Sequence, residues 1–121
     1  MSDLTTAACT DIATGLATLY TSLTSRIGIG DSGAAFVPAQ TVLQGVNTAY
    51  KTATVSQAAN RLTFDCTFLT SEGNGFTIRE VCVDRDSGTR MLVRNVPTVS
   101  IPAKTSAEEW TFTIHVDFTA G

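Results

Sequence analysis

The stretch GNGFTIREVCVDRDSGTRMLVRN, residues 73–95, decides the fold. It holds two strand-like runs, Phe76–Val83 and Arg90–Arg94. The polar turn Asp84-Arg85-Asp86-Ser87-Gly88-Thr89 joins them, so the stretch reads as an antiparallel hairpin. In the first run Phe76, Ile78, Glu80 and Cys82 alternate with Thr77, Arg79, Val81 and Val83. Both sets contain apolar residues, which predicts a central strand covered on both faces. Glu80 then falls inside, on the side of Ile78 and Cys82. A buried carboxylate has to be paired or protonated. A structural ion pair with Arg94 or Arg90 is the expected solution.

The flanking segments carry the same period. Upstream, Arg61–Leu69 sets Leu62, Phe64, Cys66 and Phe68 against Thr63, Asp65 and Thr67, a half-buried strand. Ser71-Glu72-Gly73-Asn74-Gly75 with its Asn-Gly pair predicts a hairpin turn from that strand into the next. Downstream, Val96–Ile101 is interrupted by Pro97 and closed by Pro102, so it reads as an edge strand. Ala103–Glu109 reads as a polar loop. The last run is the most regular: Trp110, Phe112, Ile114, Val116 and Phe118 alternate with Thr111, Thr113, His115, Asp117 and Thr119.

Nearer the start, Thr48–Ser56 alternates weakly and predicts an edge or interface strand, with Ala58-Ala59-Asn60 as the following turn. Gln40–Gly45 has room for one helical turn, capped by Thr41 and stopped by Gly45. Arg26–Gly30 is a short strand. Leu4–Leu23 is the one helix: Leu4, Ala8, Ile12, Leu16, Leu19 and Leu23 recur at spacings of four and three. Ser2 or Asp3 is its expected cap. The stripe has to lie on a sheet or on a neighbouring subunit, because Thr-rich helices of this length need packing. The expected architecture is mainly β: an antiparallel β-sandwich of six or seven strands with one N-terminal helix. Residues 1–121 form one domain, with the helix in 1–24 and the sandwich in 26–119.

Composition narrows function. Charged residues are 16% of the 121 and hydrophobic ones 43%, with net charge −3. Charge this sparse suggests either that part of the surface meets a partner or that a Thr- and Ser-rich surface is solvated through its hydroxyls. The eight Lys and Arg are scattered, so the basic footprint of nucleic-acid binding is missing. No run approaches the roughly 18 apolar residues of a membrane span. The N-terminus has neither a basic n-region nor an apolar h-region, which predicts no secretory leader. Cys9, Cys66 and Cys82 are widely spaced and odd in number, which argues against a disulfide framework or a zinc site. Three reduced, mostly buried thiols are expected.

The chemistry-bearing residues do not converge. Gly28-Ile29-Gly30-Asp31-Ser32-Gly33 is formally GxGxxG, but Pro38 follows soon and no acid lies between Asp31 and Asp65. The dinucleotide fingerprint needs a helix and an acid about 20 residues on, so this reads as a glycine-rich surface turn using positive φ. His115, the single histidine, alternates onto the polar face without ligand partners. Cys66 and Cys82 sit among Phe and Ile, where thiols are inert. Asp84, Asp86 and Ser87 lack the twelve-residue calcium-loop pattern. No catalytic, metal-binding or cofactor-binding residue is predicted, and no cofactor.

Several motifs in order carry a resemblance. They are Arg26-Ile27-Gly28-Ile29-Gly30-Asp31-Ser32, then Gln40-Thr41-x-Leu43-Gln44-Gly45, then Leu62-Thr63-Phe64-x-x-Thr67-Phe68. Ile78-x-Glu80-Val81, Met91-Leu92-x-Arg94 and Pro102-x-Lys104-Thr105-Ser106-Ala107-x-x-Trp110 complete the order. Spanning about Arg26 to Phe118, it resembles the bacteriophage tail-collar fibre and baseplate-associated structural proteins. The family often has Gly-Leu after the Glu-Val pair, where this chain has Cys82-Val83, and no long fibre shaft follows. The resemblance implies a non-enzymatic virion structural subunit of tail, collar or baseplate. It implies assembly with itself and other virion proteins, after synthesis in the host cytoplasm. No nucleic-acid, membrane or small-molecule partner is expected. The shaftless chain keeps a capsid decoration or cement role as the alternative. A host-surface sugar-binding module is the second alternative, for which Tyr20, Tyr50 and Trp110 are the available aromatics. Leu4, Ile12, Leu16, Leu19 and Leu23 are the expected interface residues.

Overall fold

The 73–95 hairpin forms with shifted bounds. The structure is a computed structural model that describes residues 3–85 and 90–120. In chain order the elements are α1 (Thr6–Leu19), β1 (Ser25–Gly30), β2 (Thr48–Thr52), β3 (Thr54–Ala58), β4 (Arg61–Phe68), β5 (Glu80–Arg85), β6 (Val93–Asn95) and β7 (Trp110–Asp117). They make two antiparallel sheets, ordered β2-β1-β5-β6 and β3-β4-β7. The protein is thus mainly β, a seven-stranded sandwich with one N-terminal helix. No described helix is long and apolar enough to cross a membrane.

β5 pairs with β1 on one side and β6 on the other, and its residues Glu80–Asp84 are all buried. The central strand expected here therefore exists, but it starts at Glu80 rather than Phe76. Residues 76–79 lie outside the strand and are tied to the sandwich by Ile78, whose N–H and C=O pair with Ile101 across 2.8 and 2.9 Å, and by Arg79, whose N–H donates to Gly30 O at 2.8 Å. The break resets the alternation. Ile78 joins Val81 and Val83 in the core, while Glu80 and Cys82 face the other way, opposite Gly30 and Gly28 of β1. The expected turn residues Asp84 and Arg85 are the last residues of β5; Asp86, Ser87, Gly88 and Thr89 lie outside the described residues, as does the cap candidate Ser2.

Four segments differ from the expectation. β4 and β5 lie in different sheets, so Ser71–Gly75 is a crossover and not a hairpin turn; Gly73 and Gly75 take φ of 66° and 88° within it. The run Thr48–Ser56 is two edge strands, not one. It passes from one sheet to the other at Ala53, which is fully buried and donates its N–H to Ser25 O at 2.9 Å. A small side chain suits a corner at which both sheets converge. Gln40–Gly45 is irregular, and Val96–Ile101 forms no strand beyond the single pairing at Ile101. The Ala59-Asn60 turn does close the β3–β4 hairpin, with Ala58 opposite Arg61 and Ala59 at φ 53°.

The core lies between the sheets. Leu62, Phe64, Cys66 and Phe68 of β4 face it, with Ile27 and Ile29 of β1 and Val81 and Val83 of β5. Full burial of side chains such as Phe64 and Phe68 is worth roughly 1.5–3 kcal/mol each. The apolar face of β7 packs on this core but stays half-buried throughout.

α1 caps the three-stranded sheet beside β3. Thr5 is its N-cap, accepting from Ala8 N–H at 3.1 Å. Its buried stripe is rotated from the expected one. Cys9 and Ala13 are buried, Leu16 and Ala17 pack on the core, and Tyr20 closes the stripe. Small residues let the helix axis approach the sheet, which turns the larger leucines outward.

Candidate functional site

Glu80 is the centre of the most enclosed polar site in the described residues. Its side chain and that of Arg94 are both 0% exposed, with Arg94 Nε 2.9 Å from Glu80 Oε1. Register sets this pair. Glu80 opens β5, Arg94 lies in β6, and the Cys82–Arg94 pairing puts both side chains on the sheet face away from the sandwich core. Oε1 also accepts the Gln44 N–H at 2.8 Å. Oε2 accepts those of Gly45 at 2.6 Å and Ser32 at 3.2 Å. Arg94 in turn donates to Ala34 O at 2.8 Å and Ser32 O at 3.4 Å.

The site therefore folds the 31–47 loop against the sheet. The carboxylate meets three backbone amides and a guanidinium, so each of its oxygens carries two donors. Close approach requires glycine at two places: a Cβ on Gly30 would collide with Glu80 Oε2, and one on Gly45 with Asp31 Oδ1 and Glu80 Oε2. At the outer end Asp31 accepts from Asn47 N–H at 3.2 Å and Asn47 Nδ2 at 2.8 Å. The Asn47 side chain holds the Asp31 carboxyl below the usual carboxylate range. The GxGxxG segment is accordingly no surface turn with positive φ. Gly28 and Gly30 are buried strand residues, and the glycines there make room for Tyr50, Cys82 and Glu80.

Fixed from within, the loop turns apolar side chains outward. Phe36 is 53%, Val37 51%, Val42 48% and Val46 95% exposed. Of the expected interface residues, Leu4, Leu19 and Leu23 are exposed, Ile12 is half-buried, and Leu16 is half-buried against the core. These two apolar groups lie on separate elements, and the sequence reading named only the helical one. The run Phe36-Val37-Pro38 was the available signal for the other.

Two further buried charges were missed. Asp84 belongs to no solvated turn. It is buried at the end of β5 and accepts from Arg26 Nε at 3.0 Å and Nη2 at 2.8 Å. Arg26 also lies 4.1 Å over the Tyr50 ring, a cation–π contact. Lys104, inside the expected polar loop, is 1% exposed. Its Nζ donates to Leu69 O and Asn74 Oδ1, both at 2.7 Å, and to Thr105 O at 3.4 Å. It ties the β4–β5 crossover to the segment leading into β7.

The remaining candidates sit apart. His115 is exposed on β7, its Nδ1 3.0 Å from Thr63 Oγ1. Among the described residues no three His, Cys, Asp or Glu side chains gather at metal-binding distance. All three cysteines are free and buried. Burial pushes the Cys66 and Cys82 thiols up to about 12, so both are protonated at neutral pH and poor nucleophiles. Native protein is expected to give no colour with a thiol reagent such as Ellman's at pH 8, and three equivalents once unfolded in guanidinium; rapid native labelling would contradict this burial.

Chemically, the Glu80 site works as an internal clamp. A carboxylate with four donors and no solvent face has no lone pair free for a substrate. Compared with known proteins, the chain matches no family model and no curated protein.

Proposed function

We propose that this chain is a non-enzymatic bacteriophage virion structural subunit of the tail, collar or baseplate, assembling with itself and with neighbouring virion proteins. The observation that carries the reading is the clamped 31–47 loop. Four large apolar side chains there are presented to solvent by a backbone anchored through a buried ion pair. Ordering such a loop in advance lowers the entropy lost when a partner covers it. The leucines on the outer side of α1 add a second apolar surface of the same kind. The order of motifs from Arg26 to Phe118 supplies the association with virion proteins. The buried charges Glu80, Asp84, Arg94 and Lys104 are all engaged inside the fold, which suits a building block better than a catalyst. Of the aromatics a sugar-binding module would use, Tyr20 is buried and Tyr50 is stacked under Arg26.

Light scattering across a concentration series tests the reading. A symmetric oligomer, or complexes with co-expressed virion proteins, is expected. A monomer at every concentration and in every co-expression would overturn it. Cross-linking of intact particles followed by peptide mapping separates a tail position from capsid decoration.

A further inference from the structure

We infer that the free edge of β7 pairs with the same edge of a second copy, antiparallel and centred on Ile114. This rests on the self-assembly proposed above and names the surface that performs it.

Among the described residues four strand edges are free of a sheet neighbour, and three of them are blunted. β2 is five residues long and carries Lys51. β3 lies beside α1 and the turn after it: Ser22 Oγ accepts the Val55 N–H at 2.9 Å, and Thr14 Oγ1 accepts from Gln57 Nε2 at 2.9 Å. β6 is three residues long, with Pro97 two residues beyond its end. Short length, lysine, proline and a covering helix are the usual protections of an edge. β7 has none of them. It runs eight residues, Trp110–Asp117, without proline, glycine or lysine.

The sequence of this edge is symmetric in the way a two-fold contact requires. Pairing about Ile114 sets Trp110 opposite Phe118 of the second copy, Phe112 opposite Val116, and Ile114 opposite itself. On the other face Thr111 meets Asp117 and Thr113 meets His115. Apolar positions meet apolar ones along the whole strand, and no charge faces its like. A one-residue change of register would set apolar positions against polar ones. Registers displaced by an even step keep the faces but leave an end residue unmatched. Cross-strand aromatic and β-branched pairs of this kind each stabilise a sheet.

The apolar face also needs cover. Phe112, Ile114 and Val116 are half-buried where β4 keeps Leu62, Phe64 and Phe68 fully hidden. A groove of about 210 Å³ runs beside the edge, lined by Val81, Val93, Pro97, Ile101, Phe112 and Ile114. A second β7 laid alongside brings its own Ile114 and Val116 to the mouth of that groove. The product is one continuous sheet, β3-β4-β7 running into β7-β4-β3, with an isologous interface.

Cysteine cross-linking reads the register. Directly opposed residues of an antiparallel pair lie within the Cα range of a disulfide. Under glutathione oxidation Ile114→Cys is expected to give a covalent dimer at twice the chain mass. Thr113→Cys alone should stay monomeric on a non-reducing gel, and Thr113→Cys mixed with His115→Cys should link. The last two variants lie on the exposed face, so they keep the test open if Ile114→Cys folds poorly. Wild type, with its thiols buried, is the control. An oligomer by light scattering with no link from Ile114→Cys or from the mixed pair would overturn the β7 contact and leave self-assembly standing. A monomer throughout would overturn both.

Discussion

Glu80→Gln is expected to lower stability by about 3–5 kcal/mol, the loss seen when one partner of a buried ion pair is removed. The bonding pattern makes the isosteric change severe. Both carboxylate oxygens only accept: Gln44 N–H and Arg94 Nε meet Oε1, and Gly45 and Ser32 N–H meet Oε2. A carboxamide can present an oxygen to one pair only, and its NH₂ then faces the two donors of the other. Arg94, with its side chain 0% exposed, keeps a charge without a counter-ion. At roughly 4 °C per kcal/mol for a domain of this size, the melting temperature should fall by about 10 °C or more. Arg94→Met should cost less, because Glu80 retains three amide donors. The surface pair Arg61–Asp117, 47% and 42% exposed, is the comparison: solvent screening leaves exposed pairs contributing little. Amide hydrogen exchange gives a second readout, since Ser32, Gln44 and Gly45 should lose protection in Glu80→Gln. An unchanged melting temperature together with unchanged exchange would rule out the clamp.

The clamp also marks where the sequence could be read and where it could not. Alternation reports which way a side chain points, and there it was informative. The burial of β4 follows Leu62, Phe64, Cys66 and Phe68 residue by residue, and the period of β7 is equally regular. Glu80 was legible as a carboxylate inside a strand with an arginine in reach. Alternation does not report which strand lies alongside, so the Asn74-Gly75 turn looked like a hairpin although β4 and β5 belong to different sheets. A single alanine at position 53 gives no local sign that the chain changes sheets. The helix misled for a different reason. Hydrophobicity favoured the leucine stripe, but approach to the sheet favoured small side chains, and Cys9 and Ala13 went inward. Lys104 was unreadable because its partners are two carbonyls and a carboxamide, which leave no complementary charge in the sequence.

Gly30→Ala is expected to reproduce much of the Glu80→Gln phenotype without touching a charge. Gly30 and Glu80 are directly opposed in the β1–β5 ladder. An added Cβ would meet Glu80 Cδ and Cγ at 2.9 Å and press on Oε2. Carbon atoms at that distance are far inside van der Waals contact, so one group must move. A free glutamate would swing aside at little cost, but this one is held by four hydrogen bonds. Moving it pulls Oε2 away from the Ser32 and Gly45 amides. Overpacking alone costs about 1–3 kcal/mol, and disturbed hydrogen bonds at the clamp add to it. The same substitution at Gly15 should have the opposite sign. Gly15 lies inside α1 with nothing within 4 Å of its would-be Cβ, and alanine there should stabilise by roughly 0.5–1 kcal/mol. The double variant Gly30→Ala, Glu80→Gln tests the cause. Two changes acting on one contact are non-additive, so the double should lose clearly less than the sum of the singles in urea unfolding. Strict additivity would mean that Gly30→Ala acts elsewhere, and the glycine would then have no part in admitting the carboxylate.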